Sequence, residues 1–205
     1  MQNFQSKNSM QPGFWNERFV TKFTPWDKGG VPQALQDFVA RSALPLVTLI
    51  PGCGIGYEAA FLAQSGWDVT AIDFSPAAVA SAKAAIGEWS KHVIEADFFH
   101  YQPVGMLGLI YERAFLCALP SAMRPQIVQR WAALLQPGGL LAGFFYVDDS
   151  PGRSLKGPPF CVSSDELRAL ISPYFELLEE SDVADSIPVF AGKERWQVWR
   201  RVPAA

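Results

Sequence analysis

Apolar positions recur along this chain with two periods that take turns. From Val47 onward, short runs of apolar and β-branched residues alternate with segments whose apolar positions return every third or fourth residue. The runs at 47–51, 67–72, 92–96, 109–116 and 140–147 read as strands, and 174–179 and 195–202 add two more candidates. Between them, 57–65 reads as a helix stopped by Gly66, and 76–86 as a helix capped by Ser75 with Pro76 at its first position. A third helix runs from Ser121 to about Gln136 on a stripe of Ile127, Val128, Trp131, Leu134 and Leu135, stopped by Pro137-Gly138-Gly139. A fourth, at 164–171, follows the capping box Ser163-x-x-Glu166. Strands alternating with helices predict an α/β fold with a doubly wound, mostly parallel sheet. Ligands on such sheets sit at the C-terminal ends of the strands.

Residues 1–45 are patterned differently, with Phe14, Trp15, Phe19, Phe23 and Trp26 crowded together. Trp15 and Phe19 share one face of a helix around 14–19. A Pro- and Gly-flanked loop at 24–30 leads to a second helix opened by Pro32, with Leu35, Phe38 and Val39 as its stripe. The aromatics serve either as core anchors or as a lid over the strand ends. The whole chain of 205 residues fits one domain, a helical lid segment at 1–45 on a core at 46–205.

Composition narrows the classes. A net charge of -3 argues against a nucleic-acid surface, which would need a basic stripe. No apolar run approaches the ~18 residues of a membrane span. The first dozen residues lack a secretory signal core, so the expected location is cytoplasmic. Cys53, Cys117 and Cys161 form no C-x-x-C pair, and only His92 and His100 could assist them, so neither a metal site nor a disulfide framework is expected.

The strand ends carry the candidate chemistry. At 48–56 the sequence reads T-L-I-P-G-C-G-I-G, with Gly52, Gly54 and Gly56 at alternate positions before a helix. Glycine allows positive φ and close approach of a ligand, and the helix start adds free N–H groups, so the stretch reads as a nucleotide or anion cradle. Gly54 to Ala59 also satisfies G-x-G-x-x-A, a dinucleotide fingerprint, which keeps an NAD-dependent oxidoreductase as an alternative. Asp73 ends the second strand about 20 residues on, where a carboxylate can accept from both hydroxyls of a ribose. Asp97-Phe98 sets an acceptor beside an aromatic face, which suits adenine. Glu112 and Arg113 are adjacent in an apolar strand and point to opposite faces, so each needs a partner elsewhere. Asp148 and Asp149 follow the fifth strand, where they can steer or deprotonate an acceptor.

Taken together, Pro51-Gly52-Cys53-Gly54-x-Gly56, Asp73-Phe74-Ser75, Asp97-Phe98 and Pro137-Gly138-Gly139 resemble the class I S-adenosylmethionine-dependent methyltransferases. Four further marks narrow the resemblance to the thiopurine S-methyltransferase family with its thiol and halide relatives. They are Thr24-Pro25-Trp26-Asp27, the Pro-Gly-Cys-Gly form of the glycine turn, Phe115 to Pro120, and Gly157-Pro158-Pro159-Phe160. The resemblance implies S-adenosyl-L-methionine as cofactor, leaving as S-adenosyl-L-homocysteine. It places the methionine part on Gly52, Cys53, Gly54 and Gly56, led in by Pro51, the ribose on Asp73 beside Phe74, and adenine on Asp97 and Phe98. It makes Trp15, Phe19 and Trp26 a cap, puts Arg113 near the sulfonium and acceptor, and shapes the acceptor pocket with Trp26, Tyr146, Pro159 and Phe160. Arg113 and Asp149 are the catalytic candidates. The implied sheet has seven strands with the last antiparallel, and the implied partner is a small-molecule acceptor met by a monomer or weak homodimer.

Two positions depart from the wider class. Ile50 precedes Pro51 where many class I enzymes have an acid, so the cofactor amino group needs another acceptor, and the fourth strand has no leading Asp. The reaction expected is in-line displacement at the cofactor methyl by a soft anion such as a thiolate. A non-catalytic cofactor-binding protein of the same fold is the remaining alternative.

Overall fold

The structure, a computed structural model, describes residues 4–203. Its framework is a seven-stranded sheet in the order β3-β2-β1-β4-β5-β7-β6. β1 (Thr48–Pro51) pairs in parallel with β2 (Val69–Asp73) on one side and β4 (Leu107–Arg113) on the other. β3 (Val93–Glu95) extends the sheet beyond β2, and β5 (Leu135–Tyr146) beyond β4, both in parallel. β7 (Glu194–Arg201) slots antiparallel between β5 and β6 (Phe175–Asp182). The strand order reverses between β1 and β4, which opens a crevice above their C-terminal ends.

Both faces of the sheet are covered, which is why the central strands read as unbroken apolar runs. Along β4, Leu109 and Tyr111 face one side and Ile110 the other, the period-2 alternation of a strand. The first side packs on Leu35 and Phe38 of α2 (Gln33–Arg41), Leu62 of α3 (Tyr57–Gln64) and Val79 of α4 (Pro76–Ile86). The second packs on Ile127, Val128 and Trp131 of α5 (Arg124–Leu134) and on Leu167 and Ile171 of α6 (Ser164–Ile171). The caps read from sequence form: Ala78 N–H donates to Ser75 Oγ, and the Ser163–Glu166 capping box closes in both directions. α1 (Pro12–Val20) lies across α4, tied by Ser75 Oγ and Ala77 N–H donating to Asn16 Oδ1 at 2.6 and 3.2 Å.

Several boundaries differ from the sequence reading, three of them with a local cause. The helix expected from Ser121 starts as a 3-10 turn at Ser121–Met123 and becomes α-helical at Arg124. Pro137-Gly138-Gly139 does not separate helix from strand but lies inside β5. Leu135 already pairs with Leu107, and the ladder resumes at Leu109 and Leu140, with Gly138 at φ +80 taking up the excess chain. β4 ends at Arg113 rather than 116, because Ala114 turns the chain with φ +57.

That turn is held by Glu112, which is 1% exposed and accepts the Leu116 N–H at 3.1 Å. Burial pushes its carboxyl from 4.5 up to about 8, against the backbone donors that favour the charged form. The folded protein therefore keeps a proton that the unfolded chain releases, and stability falls as pH rises from about 4.5 to about 8. Glu112→Gln accepts the same N–H without titrating. Urea unfolding should find the variant equal to wild type near pH 4.5 and more stable by on the order of 2–4 kcal/mol at pH 8. Parallel pH profiles would contradict this assignment.

Candidate active site

The glycine turn leaves β1 with Gly52, Gly54 and Gly56 at φ +63, +56 and +80. At Gly52 a Cβ would come 2.8 Å from Phe115 Cδ2, so the ring after β4 stands on the turn. Gly56, the N-cap of α3, would place one 3.4 Å from Ala82 Cβ. Gly54 has only Phe19 Cζ near it, at 3.8 Å. The outer glycines thus serve close packing of the protein, while the middle one leaves its backbone open to the crevice.

Asp73 holds this turn in place. The Gly54 N–H donates to its Oδ2 at 3.2 Å and the Ser75 N–H to its Oδ1 at 2.9 Å, while Cys53 N–H donates to Ile72 O at 3.0 Å. The side chain is buried, and burial raises its pKa from 3.8 to about 6 despite the amide donors.

Above the turn is a cavity of about 440 Å³, within the range of small-ligand sites. Its walls are Asp73 and Phe74 at the end of β2, Asp97 to Phe99 after β3, and residues 113–115 and 117–119 at the end of β4. Its roof is the N-terminal segment, where Trp26 meets Trp15 and Phe19 edge-on with centroids 5.4 and 6.1 Å away. Pro158, Pro159, Val189 and Phe190 close the rim. The roof is latched across the cavity: Lys28 Nζ pairs with Asp185, whose Oδ2 also accepts the Gln33 N–H at 3.2 Å.

The sequence requires a partner for Arg113 from elsewhere in the chain without identifying it. The partner is Glu58 of α3, with Nη1 3.4 Å from Oε1 and both side chains nearly buried, at 11% and 13% exposure. The guanidinium also lies 4.9 Å from the Phe144 ring centroid. Burial raises the Glu58 pKa, and Arg113 opposes that rise. Tyr111, on the same face of β4 as Arg113, brings a buried hydroxyl to the same wall beside the guanidinium. Glu58 was missed because the residues that meet here are far apart in the chain; an acid directly after a glycine turn was its only local signal. Asp97 lines the cavity with its Oδ1 accepting from Phe99 N–H at 2.9 Å and its Oδ2 beside His100 Nδ1 at 2.6 Å.

Four expected residues stand outside the lining. Asp149 is drawn away by Ser164, whose N–H and Oγ–H donate to its two oxygens at 2.7 and 2.6 Å, which leaves it a brace for the start of α6 rather than an acid facing the cavity. Tyr146 packs on Phe190 behind the rim, 5.3 Å between centroids. Phe160 donates its N–H to Cys117 O at 2.7 Å, and Arg124 anchors its carbonyl at 2.8 Å, so its neighbour Pro159 takes the lining position. Pro51 is buried within β1. Among the described residues no cluster of three or more His, Cys, Asp or Glu could hold a metal, and no helix is long and apolar enough to cross a membrane.

A parallel sheet that reverses between β1 and β4, carries β7 antiparallel near its edge and sets a glycine turn against an acid-bearing β2 end is the architecture of class I methyltransferases. The chain superposes on Burkholderia thailandensis 1,6-didemethyltoxoflavin-N1-methyltransferase, solved with 1,6-didemethyltoxoflavin and S-adenosylhomocysteine bound. The TM-score is 0.73 over 99% of this chain and 94% of that one, at 18% identity, a likeness of fold. Residues 10–202 match the family described as thiopurine S-methyltransferase, and the chain belongs to that family. Among curated relatives, thiocyanate methyltransferase 1 of Arabidopsis thaliana is 29% identical, over 95% of this chain and 87% of its own length. Probable thiol methyltransferase 2 of the same plant is 31% identical, over 96% and 87%.

The packing at the turn is directly testable. Gly52→Ala should destabilise the protein by about 1–3 kcal/mol through Phe115, lowering Tm by roughly 3–10 °C. Gly54→Ala, which meets nothing within 3.4 Å, should lower it less, and equal losses would contradict the division of roles.

Proposed function

We propose that this protein transfers a methyl group from S-adenosylmethionine to a small, soft nucleophile of the thiol type by in-line displacement. The observation that carries the reading is Asp73, a buried carboxylate that braces the glycine turn while facing a cavity of nucleoside size. The residues present fit the cofactor. A Cβ at Gly54 would meet only Phe19 Cζ, at 3.8 Å, Asp73 suits a ribose diol, and Phe98 with Asp97 suits adenine. Family membership favours a methyltransferase over an NAD-dependent oxidoreductase and over a non-catalytic binder. The relatives named for thiol and thiocyanate support a soft acceptor.

When bound, the cofactor supplies an electrophilic methyl on a sulfonium. Attack by an anion cancels charge, so the aromatic roof of Trp15, Phe19 and Trp26 assists by keeping water from both partners. Arg113 draws an anionic acceptor toward the floor. A free thiol with a pKa near ~8.5 is already ionised to a few per cent at neutral pH, so positioning can carry the reaction without a dedicated base. Cys53 and Cys117 line the cavity too, but burial pushes both thiols up and keeps them protonated, which spares them from methylation.

Calorimetry should find binding of S-adenosylhomocysteine and none of NADH; the reverse would overturn the reading. An ionised Asp73 accepts from the ribose hydroxyls more strongly than the neutral acid, so affinity should rise as pH increases through about 6. Asp73→Asn should lose roughly 10- to 100-fold in affinity and flatten that profile. In a panel of small thiols, thiocyanate, iodide, and oxyanions of selenium and tellurium, S-methylation of a thiol or of thiocyanate is expected. Turnover confined to the oxyanions, or absent throughout, would rule out the acceptor class.

A further inference from the structure

We propose that Glu58 receives the α-ammonium group at the amino-acid end of the cofactor, in place of an acid at the end of β1. The inference rests on the cofactor reading above. β1 offers no acid for this purpose: Ile50 is 5% exposed and packs in the apolar cluster with Leu62, Val79 and Tyr111, and Pro51 follows it. An ammonium moved from water into an aromatic-lined cavity needs a carboxylate there.

Four acids line the cavity, and their existing bonds separate them. Asp73 and Asp97 are taken by the ribose and adenine in the reading above, Asp73 while also holding the Gly54 and Ser75 amides and Asp97 while engaged by Phe99 and His100 beyond β3. Asp27 belongs to the roof loop and accepts the Gly29 N–H at 2.8 Å. Glu58 is the second residue of α3, directly beyond Gly56, so it stands against the same turn that the methionine part would rest on. Its one side-chain hydrogen bond or ion pair among the described residues is the 3.4 Å approach of Arg113, longer than the roughly 2.7–2.9 Å of a tight charged hydrogen bond. That pair presents an anion and a cation side by side, complementary to the ammonium and carboxylate of an α-amino acid. The ammonium takes the place that Arg113 Nη1 holds on Glu58, and the guanidinium is left to meet an anion.

The test compares ligands that differ only at this end. S-adenosylhomocysteine carries the amino acid, its 2-hydroxy analogue replaces the amine by hydroxyl, and 5′-methylthioadenosine lacks the amino-acid end. By calorimetry, wild type should bind the hydroxy analogue about 30-fold more weakly than S-adenosylhomocysteine. Glu58→Gln should lose about the same factor for S-adenosylhomocysteine, no longer distinguish it from the hydroxy analogue, and bind methylthioadenosine within about twofold of wild type. If wild type does not discriminate the amine, or if Glu58→Gln weakens all three ligands equally, Glu58 is a structural partner of Arg113 and the inference is overturned. Wild type that binds none of the three overturns the cofactor reading itself.

Discussion

One buried carboxylate organises this site. Asp73 ends β2 beside the turn that leaves β1, and its two oxygens take the N–H groups of Gly54 and Ser75. The first bond fixes the glycine turn, and the second fixes the start of α4. Because α1 is tied to that same start through Asn16, the position of the aromatic roof also depends on it. Holding an acid in this environment costs stability, as its raised pKa records. A group kept at such cost beside a cavity is where function is expected to reside.

The roof and floor come from distant parts of the chain and meet over apolar surfaces. Trp15, Phe19 and Trp26 bring their edges together above the turn, while Lys28 and Asp185 latch the roof loop to the segment between β6 and β7. The latch is partly exposed and contributes modestly. The aromatic contacts and the Asn16 bonds carry more of the docking. A soft-nucleophile transfer suits such a site, because a dry, positioned encounter matters more than proton relay.

Much of the fold could be read directly. α4 spans the predicted 76–86 and α6 the predicted 164–171, because Ser75-Pro76 and Ser163-x-x-Glu166 are local start signals that need no tertiary help. Gly52 to Gly56 and Asp73 were legible because a strand end, a turn and an acid at the right distance have few other uses. Pro137-Gly138-Gly139 misled because its glycine chemistry is that of a helix stop, while pairing of Leu135 with Leu107 draws it into β5. Asp149 misled because a strand end predicts location but not direction, and Ser164 captures both of its oxygens. Glu58 and the Lys28–Asp185 latch arise from packing between distant segments, which periodicity does not encode.

The most direct test of the central claim is a crystal structure of the protein with S-adenosylhomocysteine. The account predicts both ribose hydroxyls at about 3 Å from the Asp73 carboxylate, adenine against Phe98, and the thioether sulfur beneath Trp26. A nucleoside that lies elsewhere, with Asp73 contacting only Gly54 and Ser75, would contradict it.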